Sequence, residues 1–440
     1  MLLFILLLNS LIWVITVNQL LKSIFHLPGS MLLRIILSIY VTFTLFSFLY
    51  FLGLIVHLNI LAFQAGVFII SITLLLVTRK KLVLPPFYPV SGAISVVQIL
   101  FILVCILAIT GMFIYAGQRK YGDWDAWALW NLHARFLASG SFYSRLFTSR
   151  LAWASPDYPL MLPSWIALFW RSAGNNSVVI PSVVAYVVLI SIALSGFASL
   201  YIRKQRVAGF LFMILFALDH DFIAMASTQY ADTLMALFIL LSLILFTHRH
   251  TEDKKLYCLL GFFAASAAWI KNEGILFFLV FSFYFIFSSG KNRSLITRYF
   301  AGALLPLLII VLFKTAYAPV NGLLKAQTIA TFNQALDAHR YMIIGRFYLN
   351  LLSTGFPIII PLIFIVFILN RRYFLSWESM ILTTMQIGFL CVFLFTTKDL
   401  NWGLDTACDR LTYQLYPALI YTIICYAGIS TKFLNLHEIP

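Results

Sequence analysis

A series of long apolar segments, separated by short charged connections, constrains this chain more than any other feature of its sequence. Thirteen such segments can be drawn, and most approach the roughly 20 residues that an α-helix needs to cross a bilayer. The segments cover residues 2–21, 32–56, 59–78, 92–116, 176–202, 207–222, 229–247, 256–271, 274–289, 296–317, 346–369, 378–397 and 411–430. This pattern predicts an all-α integral membrane protein with about thirteen transmembrane helices.

The composition excludes a soluble globular protein. Hydrophobic residues make up 62% of the 440 residues and charged residues 10%, whereas soluble domains carry roughly a quarter charged residues. The net charge is +15, but Lys and Arg mostly flank the apolar segments, which is how they set membrane topology. We therefore expect the lipid bilayer and phosphate-bearing substrates as partners, and no nucleic acid.

The distribution of charge along the connections predicts the orientation of the chain. With the N-terminus outside and the segments alternating, 17 of the 30 Lys and Arg fall on the inner side, as short inner loops require. Only four of the 15 acidic residues fall there, and 11 lie outside or at outer helix ends. Because acidic residues contribute little to topology, we expect the chemistry on the extracytoplasmic face of the plasma (inner) membrane.

Two connections on the expected outer side are long, at 117–175 and 318–345. Structureless loops of such length are uncommon unless they are functional, and both contain helical patterns. In the first, one helical face carries Trp127, Trp130, Ala134 and Leu137, and Asn131 and Arg135 lie four residues apart beside it. We expect this helix to lie in the membrane interface, where Trp is favoured.

The same long connection begins with two aspartates among three tryptophans, in the stretch Gly122-Asp-Trp-Asp-Ala-Trp-Ala-Leu-Trp130. A carboxylate at the membrane surface can act as a general base that takes the proton of a hydroxyl or an amine. We expect Asp125, or alternatively Asp123, to be this base. The competing interpretation is that either aspartate caps the helix that follows, a position that Asp favours.

Three further acidic positions lie beside apolar segments, where carboxylates usually face a polar cavity. Asp157 is either a third carboxylate at the site or the cap of a helix that starts at Pro159. Asp232 either lines the cavity or caps the next helix. For Asp219-His220-Asp221 a helix end is the preferred interpretation, because adjacent residues on a helix diverge by about 100° and so cannot share one metal ion.

Two basic positions complete the candidate site. In Lys271-Asn272-Glu273-Gly274 the charged residues form either a tight hairpin with an internal ion pair or part of a headgroup site. Arg410, expected at a helix start after an acidic loop, is a candidate for the donor phosphate because Arg binds phosphate bidentately. The alternative is a surface pair between Asp409 and Arg410.

No metal or cofactor site is predicted with certainty. The five cysteines lack paired or metal-ligand spacing, so no residue is assigned as a metal ligand. The sequence leaves open whether a divalent metal ion is needed as a cofactor.

Taken in order, these motifs resemble those of the GT-C superfamily of polytopic glycosyltransferases, which contains protein O-mannosyltransferases and lipid A aminoarabinose transferases. The resemblance covers about residues 92–430. It rests on Gly122–Trp130, Tyr158–Pro163, Tyr230–Asp232, Lys271–Gly274 and a late Trp402-x-Leu-x-Thr-x-x-Asp-Arg-Leu motif. Better-known members carry an Asp-Glu pair in the first loop, whereas here Ala126 follows Asp125.

The resemblance implies a GT-C-like bundle with interfacial helices on the outer face, formed by a catalytic module at 86–440 after additional transmembrane helices at 1–85. It also implies transfer of a sugar, with inversion, from a polyprenyl-phosphate donor to a lipid, protein or glycan acceptor. Asp125 or Asp123 would be catalytic. The residues that would bind substrate or donor are Asp157, Tyr158, Asp232, Lys271, Glu273, Trp402 and Arg410, with Arg410 and Lys271 on the phosphate.

Two other classes compete with this assignment. A lipid flippase or transporter would line a pathway with intramembrane charges, but it should show internal symmetry, and no repeat is visible. A polymerase or ligase of surface polysaccharide would use the same lipid-linked donor.

Overall fold

The computed structural model describes residues 1–22, 31–78, 96–249, 253–320, 333–396 and 398–427, and throughout these ranges it contains helices and no strand. This part of the chain forms seventeen α-helices. The predicted domain boundary at 85/86 and residues 321–332 of the second long connection lie outside the described residues.

In the N-terminal half the helices are α1 (Leu2–Lys22), α2 (Met31–Ile55), α3 (Ile60–Thr78), α4 (Val96–Gln118), α5 (Asn131–Ala138), α6 (Met161–Ala173), α7 (Val179–Ile202), α8 (Arg206–Leu218) and α9 (His220–Ser227). In the C-terminal half they are α10 (Ala231–Thr247), α11 (Leu256–Ser266), α12 (Glu273–Ser288), α13 (Arg293–Ala316), α14 (Ala338–Thr354), α15 (Ile359–Leu369), α16 (Trp377–Leu394) and α17 (Leu400–Ala427). A π-helix at Ala126–Trp130 precedes α5 directly.

The chain is a multi-pass α-helical membrane protein. Among the described residues, six helices are long and apolar enough to cross a membrane, namely α1, α2, α3, α7, α13 and α16. The number reaches eight if the bent pairs α8–α9 and α14–α15 each form one span. Helices α10, α11 and α12 have 17, 11 and 16 residues, short of the roughly 20 that a bilayer requires. The expected thirteen spans are therefore not confirmed.

Both bent pairs break where the sequence supplies a helix terminator. The bend of 54° between α8 and α9 falls at Asp219, whose Oδ1 accepts a hydrogen bond from the N–H of Phe222 at 2.9 Å. This is N-cap geometry, so the helix-end interpretation of Asp219-His220-Asp221 is confirmed. The bend of 86° between α14 and α15 follows Gly355 and contains Pro357, which lacks a backbone N–H.

The chain divides into two compact units. The first comprises residues 1–146, 160–203 and 209–230, and the second comprises 147–159, 204–208 and the described part of 231–440. In the first unit α1, α2 and α3 pack together, and both α1 and α2 also pack against α6. Helices α1–α3 therefore share a unit with the first long connection up to residue 146, while the division at 85/86 remains a prediction.

Buried polar contacts join the helices of the first unit. Gln64 of α3 donates to the hydroxyl of Ser172 in α6 at 2.9 Å, and Tyr50 of α2 donates to the carbonyl of Leu137 in α5 at 2.9 Å. Such bonds add directional contacts to helices whose surfaces are otherwise uniformly apolar.

In the second unit α10 is the central helix. All 17 of its residues are buried, and it packs against α17, α11 and α16. A helix that is apolar on every side can be surrounded by lipid or by protein, and here protein covers it.

Helices α11 and α13 of the second unit pack with their backbones close together. A Cβ at Gly261 would overlap the backbone carbonyl of Tyr299, and a Cβ at Gly302 would overlap the backbone of Cys258. Small residues allow such close approach between helices in membranes. The two glycines are therefore required for packing.

Gly261→Ala should lower the thermal unfolding temperature of the detergent-solubilised protein. The overlap costs on the order of 1–3 kcal/mol, which exceeds the gain of just under about 1 kcal/mol in helix propensity. Gly345→Ala is the matched control, since Gly345 lies in α14 with open space around its Cα; it should leave the unfolding temperature unchanged or raise it. Equal unfolding temperatures for the two variants would contradict the close contact.

Candidate functional site

The first long connection is anchored at its start by a glycine that no other residue can replace without strain. Gly122 has φ +74°, and a Cβ there would lie 2.6 Å from the carbonyl oxygen of Thr228. The next residue, Asp123, donates its N–H to the same carbonyl at 3.1 Å. The N–H of Asp125 donates to the hydroxyl of Tyr230 at 3.2 Å. Both aspartates are thus held against the turn that follows α9.

The two aspartates differ in exposure and contacts. The Asp123 side chain is 54% exposed, and its carboxylate lies 3.8 Å from the guanidinium of Arg119. Asp125 is half-buried. It occupies the N-cap position of the π-helix, but its backbone is helical (φ −66°, ψ −22°) and its side chain makes no capping hydrogen bond. For Asp125 the capping interpretation is therefore wrong.

The π-helix changes which side of this segment is buried. The N–H of Asn131 bonds to the carbonyl of Ala126, five residues earlier, so this turn contains one residue more than an α-helical turn would. As a result Trp127 is 50% exposed, whereas Trp130 is 1% exposed and Leu137 is fully buried. Trp130 and Leu137 thus share one face, as predicted, whereas Trp127 does not belong to it. That face lies in the core and not in the interface, where it was expected.

In the second unit a lysine and an aspartate form a buried ion pair. The ammonium of Lys271, between α11 and α12, lies 2.9 Å from Oδ1 of Asp232 in the first turn of α10. Their side chains are 2% and 1% exposed. Gln414 of α17 donates to the same oxygen at 2.7 Å. Asp232 thus binds side chains from two other segments.

Lys271 also lies 3.2 Å from Oε1 of Glu273, so the predicted ion pair within Lys271-Asn272-Glu273-Gly274 is present. Burial lowers the pKa of Lys271, but Asp232 and Glu273 outweigh burial and hold this pKa above its usual value. Lys271 is therefore charged at neutral pH. Buried ion pairs seldom add stability, because desolvation offsets their attraction.

Tyr158 and Arg410 act on the same cluster. The neighbouring Glu273 carboxylate, together with burial, raises the pKa of Tyr158 well above its usual range. Tyr158 therefore stays neutral and can donate a hydrogen bond. Arg410 is close enough to influence the ionisation of Tyr158 and Lys271. We name Asp232, Lys271, Glu273, Tyr158 and Arg410 the charged cluster.

Asp157 does not cap a helix. The structure starts α6 at Met161, with Leu160 at the N-cap, so the expected helix start at Pro159 is wrong. Oδ2 of Asp157 instead accepts from Nδ2 of Asn272 at 2.8 Å. The ammonium of Lys314 in α13 donates to the carbonyl of Asp157 and to Oδ1 of Asn272, both at 2.6 Å. These contacts hold Asp157 and Tyr158 beside the charged cluster.

The expected loop before the last helix is mostly helical. Asp399 caps α17 by accepting the N–H of Trp402 at 2.8 Å, so α17 begins at Leu400 and Arg410 lies ten residues inside it. The expectation of Arg410 at a helix start is therefore wrong. Arg410 contacts Asp409 through its backbone N–H at 2.6 Å. Trp402 is 53% exposed, and none of its described contacts joins it to the charged cluster.

Several acceptor atoms at the charged cluster are buried without a hydrogen-bond donor among the described residues. They are Oδ2 of Asp232, Oε2 of Glu273 and Oε1 of Gln414. Buried acceptors are nearly always satisfied in proteins, so these atoms call for hydroxyl or water donors. Among the described residues no three His, Cys, Asp or Glu side chains are grouped to hold a metal ion.

Sequence reasoning assigned no role to three residues that matter here: Asn272, Lys314 and Gln414. Lys314 and Gln414 do carry a signal, because each is polar within an apolar segment.

Fold and site together describe a multi-pass helical membrane protein with ionised groups buried at its core. Comparison of the chain with protein-family models, with curated proteins and with solved structures finds no match.

Lys271→Met should lower the unfolding temperature strongly, because it leaves the Asp232 carboxylate buried without its cation. Breaking one side of a buried pair costs about 3–5 kcal/mol. Lys271→Met combined with Asp232→Asn should recover most of the loss, since the replacement amide keeps an oxygen that can accept from Gln414. If the double variant loses as much free energy of unfolding as the two single variants lose in sum, the two residues are not coupled.

Proposed function

We propose that this chain is a membrane glycosyltransferase of the GT-C type. It transfers a sugar, with inversion, from a polyprenyl-phosphate donor to a lipid, protein or glycan acceptor at the extracytoplasmic face of the plasma membrane. The observation that carries the proposal is the charged cluster in the second unit, in which a buried lysine and a half-buried arginine lie with acceptor oxygens that have no donor among the described residues.

The chemistry of the charged cluster suits a sugar phosphate. Arg410 and Lys271 supply positive charge for the departing phosphate, and Arg presents a planar fork that matches two phosphate oxygens. The acceptor oxygens of Asp232, Glu273 and Gln414 have no donors among the described residues, and sugar hydroxyls are donors. Tyr158 stays protonated, so it can donate to a phosphate or ring oxygen.

The transfer itself requires a base. In the proposed step the Asp125 carboxylate removes the proton of the acceptor hydroxyl or amine, and the freed electron pair attacks the anomeric carbon. The bond from that carbon to the phosphate oxygen breaks on the opposite face, and polyprenyl phosphate leaves with the negative charge. Support for Asp125 as the base comes from the resemblance, which places the catalytic aspartate of the first outer connection at this position, where the side chain is half-buried. Asp123 is the alternative base.

The lipid flippase or transporter alternative is favoured by one observation, the buried pair of Lys271 and Asp232. Intramembrane ion pairs also line substrate and proton pathways. The two functions differ in their products, because a transporter moves its substrate without breaking the sugar–phosphate bond.

Asp125→Asn should reduce sugar transfer by about 10²–10⁴-fold, the usual effect of removing a general base. The assay uses the purified protein in liposomes with polyprenyl-phosphate sugars labelled in the sugar, and a membrane lipid and glycan extract as acceptor. Asp221→Asn is the control, since that side chain is 61% exposed. Full transfer by the Asp125 variant would remove Asp125 from the mechanism, and unbroken donor in every liposome would favour a transporter.

Arg410→Lys should raise the KM for the lipid-linked donor by about tenfold, because lysine keeps the charge but loses the bidentate contact. The KM for the acceptor should stay unchanged. Measuring both constants separates donor binding from a general loss of activity. A variant whose donor KM equals that of the unmodified protein would show that Arg410 does not contact the phosphate.

A further inference from the structure

A small polar pocket in the first unit is not used by the proposed reaction. Its volume is about 30 Å³, more than the roughly 10–15 Å³ that one water molecule needs, so it can admit a hydroxyl-bearing group. Its walls include the side chains of Lys120, Trp127, Asn131, Arg135, Trp170 and Gln229. We name it the Asn131 pocket.

A chain of hydrogen bonds fixes the orientation of two amides in this pocket. Nε2 of Gln229 donates to the backbone carbonyl of Lys120 at 3.4 Å and to the hydroxyl of Ser182 at 2.9 Å. A carbonyl can only accept, so Oε1 of Gln229 faces Asn131 and accepts from its Nδ2 at 3.2 Å. The remaining amide atom of Asn131, Oδ1, is therefore an acceptor.

That acceptor is buried and has no donor. Asn131 is 8% exposed, and its Oδ1 has no hydrogen-bond partner among the described residues. A buried acceptor without a donor is unfavourable, and a hydroxyl group of a ligand in the pocket would satisfy it. Gln229, which holds Asn131 in place, follows the end of α9 with φ +60°, the left-handed conformation that commonly ends a helix.

The charged residues of the pocket indicate which other chemical group the ligand carries. Lys120 and Arg135 are exposed cations, and the described residues that line the pocket include no carboxylate. Trp127, half-exposed, adds an aromatic wall. A phosphate is the anion that Lys and Arg side chains bind most readily in such a setting.

We propose that the Asn131 pocket binds a phosphate that carries a hydroxyl-bearing substituent, with the phosphate on Lys120 and Arg135 and the hydroxyl on Asn131. The inference does not depend on sugar transfer. A phospholipid with a glycerol headgroup and a soluble polyol phosphate share this chemistry.

The experiment measures binding to the full-length protein in phosphatidylcholine nanodiscs. One arm titrates glycerol 3-phosphate and, as its partner without hydroxyls, methyl phosphate. The other arm replaces part of the lipid with phosphatidylglycerol or, as its partner without hydroxyls, phosphatidylmethanol, and follows the unfolding temperature. We expect the hydroxyl-bearing member of at least one pair to bind about tenfold more tightly or to stabilise more; the arm that responds identifies the source.

Two variants tie this preference to the pocket. Arg135→Gln should weaken binding of the preferred ligand by about tenfold or more, whereas Arg145→Gln, an exposed arginine of the same unit outside the pocket, should change it less than twofold. Asn131→Leu should abolish the preference for the hydroxyl-bearing member; if that variant does not fold, the comparison within each ligand pair on the unmodified protein still decides. Absence of a preference in both arms, or equal effects of Arg135→Gln and Arg145→Gln, would overturn the proposal.

Discussion

The second unit depends on one ion pair, Lys271 with Asp232, placed where neither charge could remain alone. Each partner is almost wholly buried, and an isolated ion in such surroundings is very costly. The pair therefore requires α10 and the turn before α12 to be in place together, and Gln414 extends that requirement to α17. The Asp232 carboxylate thus fixes the relative positions of three segments that are far apart in the sequence: α10, the turn before α12, and α17.

The sequence contained enough to predict the class and the residue types at the site, but not their arrangement. Apolar segments predicted the helices because a bilayer imposes a minimum length on each span. The same criterion predicts a span at α10, but all 17 residues of that helix are buried within the protein, and the expected thirteen spans are not confirmed among the described residues. A hydropathy pattern does not distinguish lipid from protein as the surroundings of a helix.

For the candidate site, too, the sequence predicted the residue types but not their contacts. Asp157, Tyr158, Asp232, Lys271, Glu273 and Arg410 could be selected because charges are rare and costly beside apolar segments. The hydrogen bond between Gln414 and Asp232 spans 182 residues, and no local pattern encodes such a pairing. The π-helix before α5 was equally hidden, because its extra residue leaves no mark in composition yet moves Trp127 off the buried face that holds Trp130.

The close backbone contacts at Gly261 and Gly302 also limit how the second unit can move. With backbone against backbone, α11 and α13 have no side-chain layer along which to slide, so the two helices must rotate or shift as one rigid body. Asn272, shortly after α11, and Lys314, near the end of α13, would then keep their mutual geometry during any conformational change. Helix α17 can bend at Pro417, which removes one of its internal hydrogen bonds. Gln414 ties the part of α17 before this proline to Asp232, so a bend there would move the C-terminal end of α17 and leave Arg410 in place relative to Lys271.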